Sequence, residues 1–404
     1  RDAQESRGLG DVYKRQLFLM PTALSCFADA LRSGADYVTS DAVFGYSGVT
    51  TLYHSQGFAA CPGCALVSRE LLRRCQAEAR DPENPVELLT LAAKLSRSHV
   101  CLPLALAHYE RDICAEDVWS VKGKRVFIMS HLLDMTGAPI VLVSAVPVLR
   151  SMGYEVVVLG PSDGGALQLF VDAGAAVITR PGIRATPNLW GLALCTDLVL
   201  VNTVVMARTV RALSGTAVPV LWWLHDAFAG YPHIAHQIPT KLAENVRLYS
   251  VGHHAANAMH AVRPDFQIGQ LIYGLPDYAA EDFPRCDLGY PADKPLFATV
   301  GSFERRKGHD IFCAAIRLLP EEVRNKATFL FVGMAADKEM MDAVRSLTTD
   351  CPENVFYCKR LSRDEIKNLM EQCTCLVCAS RDDPMPTFVT EGLIFGKPSI
   401  CLLY

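Results

Sequence analysis

No stretch of the 404 residues holds the roughly 18 consecutive apolar residues that a membrane-crossing helix needs, and no secretory leader is visible. Charge of one sign is also missing. With 39 Lys and Arg against 43 Asp and Glu, the formal net charge is −4, so no general electrostatic affinity for nucleic acid is implied. No G-x-G-x-x-G loop follows a strand, so a dinucleotide is not indicated. Cys61-Pro-Gly-Cys64 has no second pair at zinc-finger spacing. The fifteen cysteines are scattered, often inside apolar runs such as 374–379, and are expected to be reduced, metal-free thiols of a cytosolic protein. There is no initiator Met, and residues 1–16 are charged and patternless, resembling translated sequencing-adapter read-through. The last residues stop inside an expected strand, 399–404, so the chain is expected to be incomplete at both ends.

Half of the residues are hydrophobic and 20% charged, as in a globular protein with large cores. At this length two or three domains are expected. A first block, 17–115, reads as a strand at 35–40 running into Asp41, a turn, strand and helix start at 61–72, a helix at 85–95 and a strand at 99–108. Residues 112–123 are polar and read as a linker. From Lys124 the pattern alternates: strands near 125–130, 155–160, 175–179, 197–202, 218–225, 246–251 and 270–273, separated by helical lengths. A second set follows at 296–301, 328–333, 354–358, 374–379 and 399–403. Both sets predict parallel, doubly wound α/β sheets, with 274–294, rich in Pro, Asp and Tyr, as a hinge. The boundaries expected are 1–16 for a non-native lead-in, 17–115 for the first block, and 124–285 and 290–404 for the two domains.

Four stretches carry candidate chemistry. Residues 375–404 read as a buried strand, a polar loop with Asp382, Asp383, Pro384, Met385 and Pro386, and a helix over 388–395 capped by Thr387 and closed by Gly396. Its free N–H groups suit a diphosphate, and Glu391 beside them suits sugar or ribose hydroxyls. The run Gly301-Ser-Phe-Glu-Arg305-Arg306-Lys307-Gly308 follows a strand and opens a helix at 310–319, a second anion site with Lys307 as its mobile charge. Residues 131–139 read as the loop after the first strand of the first set and hold Gly137 and Ala138. His225-Asp226 ends an apolar strand, where crevices of open α/β sheets lie. His253 and His254 are adjacent on a predicted helix and do not face one way, which argues against a metal pair.

An acidic residue, seven residues, Glu, and then Gly396-Lys397-Pro398 resembles the nucleotide-sugar signature of retaining GT-B glycosyltransferases, family 4 in particular. Asp383 stands where Glu is usual, and Ser302 where an Arg is usual. The resemblance covers about 124–404. It implies two Rossmann-like domains facing a cleft, the second truncated, and transfer of a sugar from a nucleoside-diphosphate donor to a glycan or lipid-linked acceptor in polysaccharide biosynthesis. It further implies that Lys307, helped by Arg305 or Arg306, binds the donor diphosphate beside Gly301. Glu391 would hold the ribose, with Asp383, Met385, Pro386 and Thr387 facing sugar and diphosphate. Gly137 and Ala138 would line the donor and acceptor side, and His225 would lie near the reacting sugar. No metal or cofactor is required beyond the nucleotide sugar, and the implied setting is the cytoplasm, with peripheral association at the inner face of the membrane compatible. A sugar-nucleotide epimerase of the same fold, and a non-catalytic carbohydrate-assembly module, are the alternatives. Residues 17–115 resemble the back half of a family 2-like GT-A domain, in which Asp41 would be the one carboxylate for metal and sugar diphosphate.

Overall fold

The computed structural model describes residues 17–20, 22–46, 49–54, 65–82, 85–109, 113–119, 123–183, 190–291, 293–359 and 361–402. Residues 1–16, Cys61 and Cys64 lie outside them. The chain divides into two units. One comprises 1–224, 233–250 and 265–271; the other comprises 225–232, 251–264 and 272–404.

In the first unit, twelve described strands share one sheet. Its parallel part is β6 (Lys124–Met129), β7 (Tyr154–Gly160), β8 (Ala176–Thr179), β9 (Leu198–Asn202), β10 (Val220–Leu224), β11 (Val246–Ser250) and β12 (Ile268–Gln270), in the order β8-β7-β6-β9-β10-β11-β12. The expected strand at 270–273 falls earlier, at 268–270, and the strand before His225 ends at Leu224. The helix expected from residue 140 begins at Gly137 and runs to Ser151, so Gly137 and Ala138 form its first turn rather than a loop. Pro139 is tolerated there, because the first-turn N–H groups have no intrahelical acceptor to lose.

The first block does not stand apart as expected. Its strands β1 (Leu17–Leu19), β2 (Tyr37–Tyr46), β3 (Val49–His54), β4 (Ala65–Val67) and β5 (His99–Tyr109) continue the same sheet, because β3 pairs antiparallel with β8 from Leu52↔Thr179 to His54↔Val177. Tyr37 and Val38 point to opposite faces. Val38 packs with Ala23, Phe27 and Ala30 of the helix Ala23–Arg32, and Tyr37 with Leu71, Cys75, Leu89 and Ala92 of the helices Arg69–Glu78 and Pro85–Leu95. The polar linker expected at 112–123 is also partly core: Ile113, Val118 and Trp119 are buried, and the Trp119 ring meets Phe127 edge-on at 6.3 Å.

In the second unit a parallel sheet runs β15-β14-β13-β16-β17, with β13 (Leu296–Val300), β14 (Thr328–Val332), β15 (Val355–Cys358), β16 (Cys375–Cys378) and β17 (Ser399–Cys401). Alternation along β14 shows why it is covered twice. Phe329 and Phe331 pack on one face with Phe312, Ile316, Val344 and Leu347, and Leu330 and Val332 on the other with Leu369, Leu376 and Phe388. Burying side chains of this size stabilises by roughly 1.5–3 kcal/mol each. The expected hinge, 274–294, lies against this unit: the Cys286 N–H donates to Asn368 Oδ1 at 3.2 Å, and Asn368 Nδ2 to the Pro284 carbonyl at 2.8 Å. Among the described residues no helix is long and apolar enough to cross a membrane.

Asp41 is not at a strand end. β2 continues past it to Tyr46, with a bulge against β5 at Asp41, because 42–46 pairs with β3 and 42–44 also with β5. The buried carboxylate pairs with His54 Nδ1 at 2.8 Å, and Asp163 lies 3.9 Å from His54 Nε2. Burial alone would lower the His54 pKa. The hydrogen bond and charge of Asp41, with the charge of Asp163, outweigh it and raise the pKa. A raised folded pKa gives stability that is complete below the unfolded value of about 6.5 and lost as pH rises through the folded value. The stability deficit of His54→Gln, measured by urea unfolding, is therefore expected to be largest near about pH 5.5 and to shrink toward about pH 9. A deficit that does not change with pH would show that the pair does not titrate on unfolding.

Candidate active site

The order of the second sheet places its topological switch point between β13 and β16, since the chain leaves β13 toward β14 on one side while β16 pairs on the other. Ligands of open α/β sheets bind outside the carboxyl ends of strands at such a point. Two loops emerge there, 301–308 after β13 and 379–386 after β16.

The loops are held together through backbone. Gly308 has φ 71°, and a Cβ on it would meet the Ala379 carbonyl oxygen at 1.8 Å, so only glycine lets the strands' exits close this far. It caps the helix His309–Leu318, which starts one residue before the expected 310–319, behind a 3-10 turn at Arg305–Lys307. The Arg381 N–H donates to the Arg306 carbonyl at 2.7 Å, and its guanidinium to the Arg305 carbonyl at 2.8 Å and, as a fork, to both Asp310 oxygens at 2.7 and 2.6 Å. The fork holds the Asp310 carboxyl below its ordinary range. His309 is fully buried against Phe303, with ring centroids 4.4 Å apart. Burial first, then the charge of Lys307, pushes its pKa down to about 4, so it stays neutral.

Within this frame the charged residues are paired. Lys307 Nζ donates to Asp383 Oδ2, whose side chain is nearly buried, and Arg306 lies 4.0 Å from the same oxygen. Arg306 Nε also donates to Glu304 Oε2 at 2.9 Å, and the Ser302 hydroxyl donates to Glu304 Oε1. Burial would raise the Glu304 pKa, but Ser302 and Arg306 outweigh it and lower it. The Arg305 side chain is exposed. The helix expected over 388–395 runs Thr387–Ile394, so the expected cap Thr387 is instead its first residue and Pro386 the N-cap, with no side-chain acceptor over the first N–H groups. Proline fits there because its fixed φ, −69° here, needs no N–H. At the other end Gly396, φ 66°, closes the helix with its N–H on the Leu393 carbonyl. Glu391, buried on this helix, accepts from Arg363 Nη1 at 2.7 Å.

His225 groups with this unit, its ring stacked 6.4 Å from that of Tyr273. Tyr273 donates its hydroxyl to the Met385 carbonyl at 2.9 Å, and burial pushes its pKa up to about 12. Asp382 accepts the N–H groups of Phe228 (3.2 Å) and Ala229 (2.8 Å) and pairs with His254 Nε2 at 2.7 Å. Gly137 and Ala138 belong to the first unit. Of the residues expected from the sequence, Lys307 and Asp383 pair with each other and Glu391 pairs with Arg363; the contacts of Tyr273, Arg363, Asp382 and His254 are not among the sequence expectations. The i,i+1 argument, which sets His253 and His254 aside as a metal pair, carries no information about a partner 128 residues away. Among the described residues no group of three or more His, Cys, Asp or Glu side chains is arranged to hold a metal ion.

Residues 122–260 match the family model described as glycosyl-transferase family 4, and 282–402 that described as glycosyl transferases group 1. Granule-bound starch synthase 1 of Triticum aestivum is 26% identical over 119 residues, 29% of this chain but only 19% of that protein's length. Among solved structures, Anabaena HepE in complex with UDP and glucose aligns with a TM-score of 0.55 at 18% identity, over 69% of this chain and 80% of its own. Sucrose-phosphate synthase from Thermosynechococcus elongatus aligns at 0.50 and 16%, over 69% and 81%. At these identities the structural likeness speaks for the fold, α/β with parallel sheets.

Two glycines test the frame. Gly308→Ala meets both the left-handed φ, a cost of about 1–2 kcal/mol, and the Ala379 carbonyl. Gly396→Ala meets only the first, because nothing lies within 4 Å of its Cβ. Urea unfolding is expected to show Gly308→Ala losing clearly more than the roughly 1–2 kcal/mol of Gly396→Ala. Equal losses would mean that the contact with Ala379 is not tight.

Proposed function

With its glycosyl-transferase family 4 match at 122–260 and its group 1 match at 282–402, we propose that the chain is a glycosyltransferase that moves a hexose-type sugar from a nucleoside-diphosphate donor to a glycan or lipid-linked acceptor, with retention, in polysaccharide biosynthesis. The observation that carries this is the placement of Lys307 and Asp383 on the two loops, and of Glu391 on the helix that follows the second, at one switch point. Anabaena HepE, whose fold is similar, was solved with UDP and glucose.

In this reading the donor diphosphate lies between the 301–308 loop and the N-terminus of the helix Thr387–Ile394, where uncapped N–H groups and Lys307 meet its charge. Lys307 is neutralised by Asp383 in the free protein. A bound diphosphate takes over the ammonium and leaves the Asp383 oxygen to accept from a sugar hydroxyl, while Met385, Pro386 and Thr387 line the sugar. Arg306 is the nearer of the two candidate arginines. Bond breaking at the anomeric carbon puts negative charge on the leaving diphosphate, and a preorganised cation there is worth about 10²–10³ in rate. His225 is assigned to the transferred carbon, and Gly137 and Ala138 to the acceptor side. The division at 124–285 and 290–404 belongs to the same reading. Residues 17–115 are read as a GT-A-like remnant without activity of its own, because Asp41, its one candidate carboxylate, is already committed to His54.

Lys307→Ala is expected to weaken a nucleoside diphosphate roughly 10–100-fold while leaving the matching nucleoside within about twofold, since a hydrogen bond to a charged group contributes about 1.5–3 kcal/mol. Calorimetric titration with UDP, GDP and ADP and their nucleosides makes the comparison. Equal losses for both ligands would remove Lys307 from the phosphate, and epimerised donor without transfer would replace the transferase reading.

A further inference from the structure

Glu391 is held in a way that its assignment to ribose does not require. Its side chain is 8% exposed, and only Oε1 is engaged, by Arg363 Nη1 at 2.7 Å; among the described residues Oε2 takes no hydrogen bond. Arg363 is itself fixed. It opens the helix Arg363–Gln372, whose start is set by a capping box in which Ser362 Oγ accepts from the Glu365 N–H and Glu365 accepts from the Ser362 N–H. Its guanidinium lies 4.9 Å from the ring centre of Tyr278. Burial would lower the Arg363 pKa, but the charge of Glu391 outweighs it, so the guanidinium stays charged and the pair intact.

We propose that Arg363 is a positioning residue that makes this site select ribonucleotides over deoxyribonucleotides. The inference rests on the reading of 379–391 as the donor site with Glu391 at the ribose. A carboxylate on an unrestrained glutamate turns about its last bond and presents either oxygen. Pinned at Oε1, this one presents Oε2 in one direction, and a ribose hydroxyl then finds an ionised, oriented acceptor. Deleting the guanidinium leaves a buried carboxylate without its counter-charge, which favours rotation toward water or uptake of a proton. Either change removes the acceptor from the hydroxyl while leaving base and diphosphate contacts in place. A purely structural ion pair, tying two helices together, would act on all ligands alike.

The test is the ratio of dissociation constants for ribo and deoxyribo ligands, measured calorimetrically with UDP, GDP and ADP and their 2′-deoxy and 3′-deoxy forms. The wild-type protein is expected to prefer the ribo form of its nucleotide by about 10–100-fold at one of the two hydroxyls. In Arg363→Ala that ratio falls to within about twofold of unity, while the diphosphate-over-nucleoside preference assigned to Lys307 is unchanged. Arg363→Lys, which keeps the charge but not the planar fork, gives an intermediate ratio and carries the test if the alanine variant does not fold. Glu391→Gln abolishes the ratio, and adding Arg363→Ala to it changes nothing further. Equal weakening of ribo and deoxyribo ligands in the Arg363 variants would reduce Arg363 to a structural pair and overturn the proposal. A wild-type protein that binds diphosphates through Lys307 without ribose preference overturns it too, but leaves the donor reading standing. Failure to bind any of the three nucleotides ends both.

Discussion

The contact between Gly308 and the carbonyl of Ala379 governs the second unit's site. Two strands of a parallel sheet exit side by side, and their loops can form one surface only if the backbones approach closer than any side chain permits. Once they do, Arg381 reaches the carbonyls of Arg305 and Arg306 and forks onto Asp310. That brings Lys307 within reach of Asp383, 76 residues later. Each of these interactions presupposes the one before it.

A second constraint is electrostatic. The candidate site gathers cations in a partly dry place, where unpaired charges are costly. Here four are matched: Lys307 with Asp383, Arg306 with Glu304, Arg381 with Asp310, Arg363 with Glu391. The pairs differ in kind. Arg381 and Asp310 make a two-bond fork inside the frame, whereas Lys307 is a flexible point charge on a carboxylate that the proposed function gives to the sugar. In the proposed function a pair of the second type exchanges partners with the ligand, while one of the first type holds the loops.

In the first unit, the block before residue 115 was expected as a separate remnant and is instead part of a continuous sheet. The join is a single antiparallel pairing, β3 on β8, and the pair of His54 with Asp41 lies at its end. An edge strand offers unpaired backbone groups to any neighbour, and the outer strand of a Rossmann-like sheet is such an edge. Composition shifts mark where one sequence pattern gives way to another, but they do not report which edges find each other.

The sequence by itself determined the periodic elements and the local chemistry. Strand and helix lengths around β6, β7, β13, β14 and β16 were legible because alternation, runs of apolar residues and Gly or Pro stops act within a few residues. Lys307-Gly308 and the spacing of Asp383 to Glu391 were legible for the same reason, helped by a resemblance to a known signature. Errors fell where local rules compete. Thr387 reads as a cap until Pro386, with its fixed φ, takes the position, and the polar residues around Trp119 read as a linker although its ring is buried. Tertiary structure alone decided the partners: Arg363 for Glu391, Tyr273 for the Met385 carbonyl, His254 and two backbone N–H groups for Asp382. These pairs are separated by 28 to 154 residues, and ion pairs and hydrogen bonds depend on ångström distances that no sequence spacing of that length encodes.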